Sequence, residues 1–125
     1  MNSIIVVEDE ELILELMVDV LELYGYTVRP FIRADLAWQF IQACDHPLRL
    51  LITDLKMPGT IDGVELVKLV HQLQPDIPVV VASGFHSASE TLADEGVVWL
   101  PKPFNIDQLY TICQRLAPLP LIPLG

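Results

Sequence analysis

Five short apolar runs punctuate the chain, and between them the apolar positions fall at helical spacing. Ser3 to Val7 is a continuous apolar run and predicts a central strand. Glu8, Asp9, Glu10 and Glu11 follow at once. A helical pattern begins there, with Ile13, Leu16, Met17, Val20, Leu23 and Tyr24 on its inner face and Gly25 as its stop. The acidic residues fall in the first turn of that helix, where its dipole favours negative charge. Tyr26 to Phe31 predicts a second strand, and Pro30, which lacks a ladder donor, places it at a sheet edge. A second helix runs from about Ala34 to Cys44, with Leu36, Phe40 and Cys44 on one face, and Pro47 separates it from the third strand. That strand, Leu50 to Thr53, is a four-residue apolar run that ends on Asp54 and a Pro-Gly turn.

After Gly63, the residues Val64, Val67, Leu69, Val70 and Leu73 outline a third helix, closed by the turn Gln74-Pro75-Asp76. Ile77 to Ala82 is the most strongly β-branched run and predicts the fourth strand, closed by Ser83-Gly84. The stretch from Ser87 to Asp94 has a capping-box pair, Ser87 with Glu90, but only Leu92 as a large apolar anchor. It predicts a short or loose fourth helix. Val97 to Leu100 is the fifth strand. Asn105 caps a last helix with Ile106, Leu109, Ile112, Cys113 and Leu116 facing inward. Strands alternating with helices five times predict an α/β fold with a doubly wound parallel sheet.

Composition narrows the class. The 125 residues suffice for one domain with a sizeable core, and 52% are hydrophobic. No run approaches the ~20 apolar residues of a membrane span. The amino terminus lacks the basic segment of a secretory signal, so the expected location is cytoplasmic. A net charge of −10 argues against direct nucleic-acid binding, which needs a basic face. Cys44 and Cys113 lie in different segments without ligand-like neighbours, which suggests free thiols rather than a zinc site.

The polar residues change the picture most. In a parallel sheet all strand carboxyl ends share one edge, where ligands bind. Strand one ends in Glu8-Asp9, strand three in Asp54, strand four in Ser83, and strand five in Lys102. Asp54 alone reads more readily as a turn residue; the convergence argues for chemistry. Three clustered carboxylates repel, so either one is held protonated or a cation sits among them. Oxygen ligands without His or Cys suit Mg²⁺ or Mn²⁺, with positions left for water and a phosphoryl group. Lys102 supplies fixed positive charge and Ser83 a hydrogen-bond donor, the equipment that phosphoryl transfer uses. Asp54 is the natural nucleophile, since an aspartate can accept a phosphoryl group as an acyl phosphate.

Taken together, these residues resemble the receiver domains of two-component response regulators. The resemblance runs from Ile4 to about Leu116. It is carried by the acidic pair after strand one, Asp54-Leu55-Lys56-Met57-Pro58 after strand three, Ser83-Gly84 after strand four and Lys102-Pro103 after strand five. It implies a flavodoxin-like five-stranded parallel sheet in the order 2-1-3-4-5. Asp54 would be the phosphoacceptor and Asp9 the direct Mg²⁺ ligand. Glu8 would act on the metal through water, and the backbone carbonyl of Lys56 would be a further ligand. Ser83 would be the switch hydroxyl, Gly84 the small residue that leaves the phosphoryl group room, and Lys102 the family's lysine, aimed by a cis Lys102–Pro103 peptide. The implied partners are a sensor histidine kinase or a histidine phosphotransfer protein, with a second receiver or a downstream protein as further candidates. The implied activity is transfer onto the protein itself rather than turnover.

Several positions depart from the common family pattern. The loop Met57 to Gly63 has one residue more between Pro58 and Asp62-Gly63. Trp99 stands where the switch aromatic is usually Tyr or Phe, and it reads either as that switch or as a cover for the sheet edge. The span from Ser83 to Trp99 is short. Phe85 lies two residues after the hydroxyl, to shield an acyl phosphate or simply to pack. A phosphorylation-independent interaction domain on the same fold is the alternative function. A phosphatase with an aspartyl nucleophile is disfavoured, because its acid/base position, two residues after the nucleophile, is Lys56. The domain is expected over residues 1–117. Residues 118–125 are a Pro-rich tail or linker stub, too short for an output module, so the chain reads as a free-standing receiver or a piece of a longer regulator or hybrid kinase.

Overall fold

The computed structural model describes residues 3–45, 47–55, 57, 59–84, 92 and 95–119. Five strands form one sheet: β1 (Ser3–Val7), β2 (Thr27–Phe31), β3 (Leu50–Thr53), β4 (Val79–Ser83) and β5 (Val98–Pro101). All pairings are parallel and the order is β2-β1-β3-β4-β5. Among the described residues there are four helices, α1 (Glu11–Leu23), α2 (Ala34–Ala43), α3 (Gly63–Leu73) and α4 (Ile106–Leu116). The doubly wound sheet and its order match the expectation. So does the edge position of β2, where Pro30 needs no partner for an N–H it lacks. Phe85 and nearly all of the short helix expected over Ser87 to Asp94 lie outside the described residues; of that stretch Leu92 is described, and it is buried.

Every residue of β1, β3 and β4 is buried, as strands covered on both faces require. Alternate side chains feed two cores. Ile4, Val6, Leu50, Ile52, Val80, Ala82 and Leu100 meet α1 and α4 through Leu14, Met17, Leu21, Leu109 and Cys113. Ile5, Val7, Leu51, Val79 and Val81 meet α2 and α3 through Ala34, Ala37, Ile41, Leu66, Val67 and Val70.

The helix faces differ from the expected ones. In α1 the buried line is Leu14, Met17, Val20 and Leu21, whereas Leu16 and Leu23 are 53% and 85% exposed. Leucines surround this helix, so spacing alone does not single out a face. The helix also starts later than the acidic run: Glu8 and Asp9 precede it, Glu10 is its N-cap, and only Glu11 lies in its first turn. Dipole compensation therefore explains one acid of the four. In α2 the buried residues are Ala34, Ala37 and Ile41 rather than Leu36, Phe40 and Cys44. The alanines let the helix backbone approach the sheet, which pushes the larger side chains to its flanks. In α3, Leu73 is exposed and Leu66 takes an inner place. β4 begins two residues later than expected and includes Ser83, because Pro78 offers no ladder donor.

Local chemistry sets the helix starts. Asp62 and Glu65 form a capping box on α3, and Asn105 and Gln108 form one on α4. His71 of α3 places one ring nitrogen 2.8 Å from Glu95 Oε2 and the other 3.1 Å from the Ile77 carbonyl, which ties the approach to β5 onto α3. At the amino-terminal edge of the sheet the Tyr26 hydroxyl donates to the Ala117 carbonyl at 2.8 Å, and Arg49 donates to the Pro118 carbonyl at 2.9 Å.

Two buried acids make the core sensitive to alkali. Burial pushes the Cys113 thiol from 9.0 up to about 12. Burial also pushes the Tyr26 hydroxyl from 10.0 up to about 12, with neighbouring Cys113 adding to it. The fold favours the neutral thiol, whereas an unfolded thiol ionises from about pH 9. The Cys113 contribution is thus present below pH 9 and is lost as pH rises toward 12, by up to about 4 kcal/mol. Urea unfolding at a series of pH values above 8 should show stability falling, and a shallower fall in Cys113→Ala. Equal slopes would contradict the assignment.

Candidate functional site

The parallel ladder brings the strand ends together before any side chain is considered. The Glu8 amide donates to the Phe31 carbonyl at 3.0 Å, and the Asp54 amide to the Val7 carbonyl at 3.0 Å. The Lys102 amide donates to the Ser83 carbonyl at 3.2 Å. These bonds seat Glu8, Asp54, Ser83 and Lys102 on one edge, where strands that are buried along their length first meet polar residues.

Their side chains then interlock. Lys102 Nζ donates to Glu8 Oε2 at 2.8 Å and to Asp54 Oδ2 at 2.9 Å. The other Asp54 oxygen, Oδ1, accepts from the Leu55 amide at 2.6 Å, and Glu8 Oε1 accepts from the Glu10 amide at 3.3 Å. Glu8 is 1% exposed, Asp54 is half-buried and Asp9 is exposed. Carboxylate oxygens of Glu8, Asp9 and Asp54 lie within 4.8 Å of one another.

This geometry sets the electrostatics. Burial raises the Glu8 pKa above its usual 4.5, although the hydrogen bond and charge of Lys102 pull it down. Burial pulls the Lys102 pKa down, but the two carboxylates outweigh it and the ammonium is held more firmly than in water. Three carboxylates against one ammonium leave excess negative charge. A donor set of oxygens alone fits a hard divalent cation such as Mg²⁺.

The other expected residues take these places. Ser83 is buried as the last residue of β4. Gly84 is exposed, and among the described residues a Cβ there would meet nothing within 4 Å. The Lys102–Pro103 peptide is cis. Trp99 is half-buried on edge strand β5, packed against the α2–α3 side of the core. Lys56, expected to offer its backbone carbonyl, lies outside the described residues, as does Pro58.

One residue of the site was not singled out by the sequence beyond marking a boundary. A Cβ on Gly63 would overlap the Asp54 carbonyl oxygen and stand 2.7 Å from Leu55 Cα. The Gly63 amide also donates to the Leu55 carbonyl at 2.9 Å. The start of α3 thus lies directly against the backbone that carries Asp54. A glycine opening a helix, where its intrinsic propensity is poor, was the available signal.

Known proteins agree with this geometry. The sequence matches the family described as response regulator receiver domain over residues 4–114. It is 33% identical over 118 residues to the nitrogen assimilation regulatory protein NtrX of Azorhizobium caulinodans, covering 91% of this chain and 26% of that protein. With the response regulator receiver protein CpdR of Brucella abortus it shares 29% over 119 residues, 93% of this chain and 97% of that one. With the sensor kinase CckA of Brucella abortus it shares 28% over 117 residues, 91% of this chain and 12% of that protein. The chain therefore spans about a quarter of NtrX and nearly all of CpdR. Among solved structures, the receiver domain of NtrX from Brucella abortus superposes with a TM-score of 0.78 at 32% identity, covering 91% of this chain and 97% of that one. A CheY-like receiver domain protein from Methanospirillum hungatei JF-1 gives 0.82 at 27%, covering 93% and 94%. Sheet order, the clustered acids at its carboxyl edge and a match across nearly the whole length lead to one assignment: the chain belongs to the response regulator receiver domain family.

Proposed function

We propose that the chain is a phosphoacceptor, taking a phosphoryl group onto Asp54 from a phosphohistidine of a sensor kinase or phosphotransfer protein. The single observation that carries this reading is the Glu8–Asp54–Lys102 constellation, with Asp9 at its open side. In the transfer, an Asp54 carboxylate oxygen attacks phosphorus and an O–P bond forms as the P–N bond breaks. The imidazole leaves with the bond's electron pair and regains its proton. Lys102, already bonded to Asp54 Oδ2, neutralises charge on the transferred group. Bound Mg²⁺, held by Asp9, Asp54, the Lys56 carbonyl and, through water, Glu8, would neutralise the remaining phosphoryl charge. Ser83 would turn its hydroxyl to the acyl phosphate, and Gly84 leaves it room. Trp99 would be the aromatic that senses this change.

Family membership supports the reading, because receiver domains are signalling modules rather than turnover enzymes. Slow self-dephosphorylation would close the cycle. We take residues 1–117 as the receiver unit and 118–125 as a Pro-rich tail or linker stub. It would work in the cytoplasm by protein contact, through a second receiver or a downstream protein, without touching nucleic acid itself; the net charge of −10 supports that last point. That CckA is a sensor kinase with a matching segment supports a kinase as donor.

Incubation with phosphoramidate or acetyl phosphate and Mg²⁺ should add the mass of one phosphoryl group. Chelation by EDTA should abolish the gain, and so should Asp54→Asn. No gain in the wild type, or a gain that survives Asp54→Asn, would overturn the proposal.

A further inference from the structure

We infer that Asp35 is a positioning residue for the acidic site, holding the tip of the loop between β3 and α3 against α2 so that the chain leaving Asp54 keeps one path. The inference rests on the reading of Asp54 as the phosphoacceptor. That loop is the one with the additional residue before Asp62-Gly63. A longer loop without structure of its own loses its placement unless something pins it.

Its base is pinned next to the nucleophile. The Leu55 amide donates to Asp54 Oδ1, and the Gly63 amide to the Leu55 carbonyl. The first of these bonds decides which Asp54 oxygen remains for Lys102. Its tip is pinned by α2. Asp35 Oδ2 accepts from the Thr60 amide at 3.4 Å and from the Thr60 hydroxyl at 3.3 Å. Gly59 has φ +126°, and a Cβ there would stand 3.0 Å from Asp35 Oδ2. The loop backbone therefore lies close enough to this carboxylate that a side chain at this position would crowd it.

Asp35 is itself held firmly. Arg33 forks onto it, with Nε donating to Oδ1 at 3.0 Å and a terminal nitrogen donating to Oδ2 at 3.1 Å. The Leu36 amide donates to Oδ1 at 2.8 Å. The Leu36 bond is ordinary service to the start of a helix, where an aspartate is favoured anyway. The contacts with Thr60 do nothing for α2. They join it to the segment that follows Asp54, and α2 starts on the sheet edge that carries the site.

With the base still pinned, loss of the tip should weaken the site by degrees rather than destroy it. Asp35→Ala, Asp35→Asn and Thr60→Val test this, all measured where circular dichroism shows full folding. Asp35→Ala should weaken Mg²⁺ binding and slow phosphoramidate labelling by about fivefold, the size of one modest hydrogen bond. Amide hydrogen exchange at Leu55 and Gly63, measured without metal, should speed up in the same variant. Asp35→Asn keeps one oxygen acceptor and should recover part of the loss, and Thr60→Val should show a smaller loss of the same kind. A lower melting temperature with unchanged Mg²⁺ affinity, labelling and exchange would overturn the inference and leave Asp35 a helix-start residue. If Asp35→Ala does not fold, Thr60→Val decides by the same readouts. If the wild type takes no label, the phosphoacceptor reading fails separately, and the exchange rates still decide whether Asp35 holds the loop.

Discussion

Replacing Lys102 by methionine is expected to cost about 3 kcal/mol of stability at neutral pH without metal, and to slow phosphoryl labelling about a hundredfold. The stability loss comes from leaving buried charge unpaired, which is far more costly than the intact pair is stabilising. Glu8 is 1% exposed, and Lys102 Nζ is its hydrogen-bonded cation at 2.8 Å. Asp54 loses the same partner. The labelling loss is that of removing one fixed donor from a site where charge develops. The methylene stem of lysine packs much as methionine does, so loss of packing adds little.

The pH dependence of this variant has a definite sign. Burial already raises the folded pKa of Glu8 above 4.5, and Lys102 restrains that rise. In Lys102→Met the folded pKa climbs further. A carboxyl with a raised folded pKa contributes stability below its unfolded pKa and loses it as pH rises through the folded value. The deficit of Lys102→Met against the wild type should therefore be smallest near pH 4 and should grow toward pH 7. Urea unfolding of both proteins across that range measures it. A deficit independent of pH would mean that Glu8 does not depend on Lys102.

The second large effect is expected at Gly63. In Gly63→Ala the new methyl would overlap the Asp54 carbonyl oxygen and stand 2.7 Å from Leu55 Cα. Both are backbone atoms of a strand end, so they cannot turn aside as a side chain could. Overpacking of this kind costs about 3 kcal/mol or more. Because the displaced atoms belong to Asp54 and Leu55, the variant should lose labelling as well as stability. Gly84→Ala is the control: among the described residues a Cβ there meets nothing within 4 Å. Its stability should stay within about 0.5 kcal/mol of the wild type. Equal losses of stability in the two variants would contradict the close approach of α3 to Asp54.

Legibility of this fold from its sequence divides along physical lines. The strands β1, β3 and β4 could be read directly, because strands buried on both faces must be apolar throughout. The convergence of Glu8, Asp54, Ser83 and Lys102 could be read for a different reason: a parallel sheet gathers its carboxyl ends whatever the loops do. Helix faces were less legible. In α1 leucines occur all round, and in α2 the contact is made by alanines, which carry little hydrophobic signal. Gly63 and Asp35 act through distances between segments that no local pattern records. The depth of Glu8 was also hidden, since four consecutive acids look alike until the chain turns one of them inward onto Lys102.

The most direct test of the phosphoacceptor reading is to locate the phosphoryl group. An acyl phosphate on aspartate is reduced by borohydride to homoserine, whereas an unmodified carboxylate is not. The protein labelled with phosphoramidate and Mg²⁺ should be reduced and its peptides read by mass spectrometry. Homoserine in place of Asp54, and at no other acidic residue, is the expected result. Homoserine in place of Asp9, 2-amino-5-hydroxypentanoate in place of Glu8, or no reduced residue in a protein that retains its fold, would contradict it.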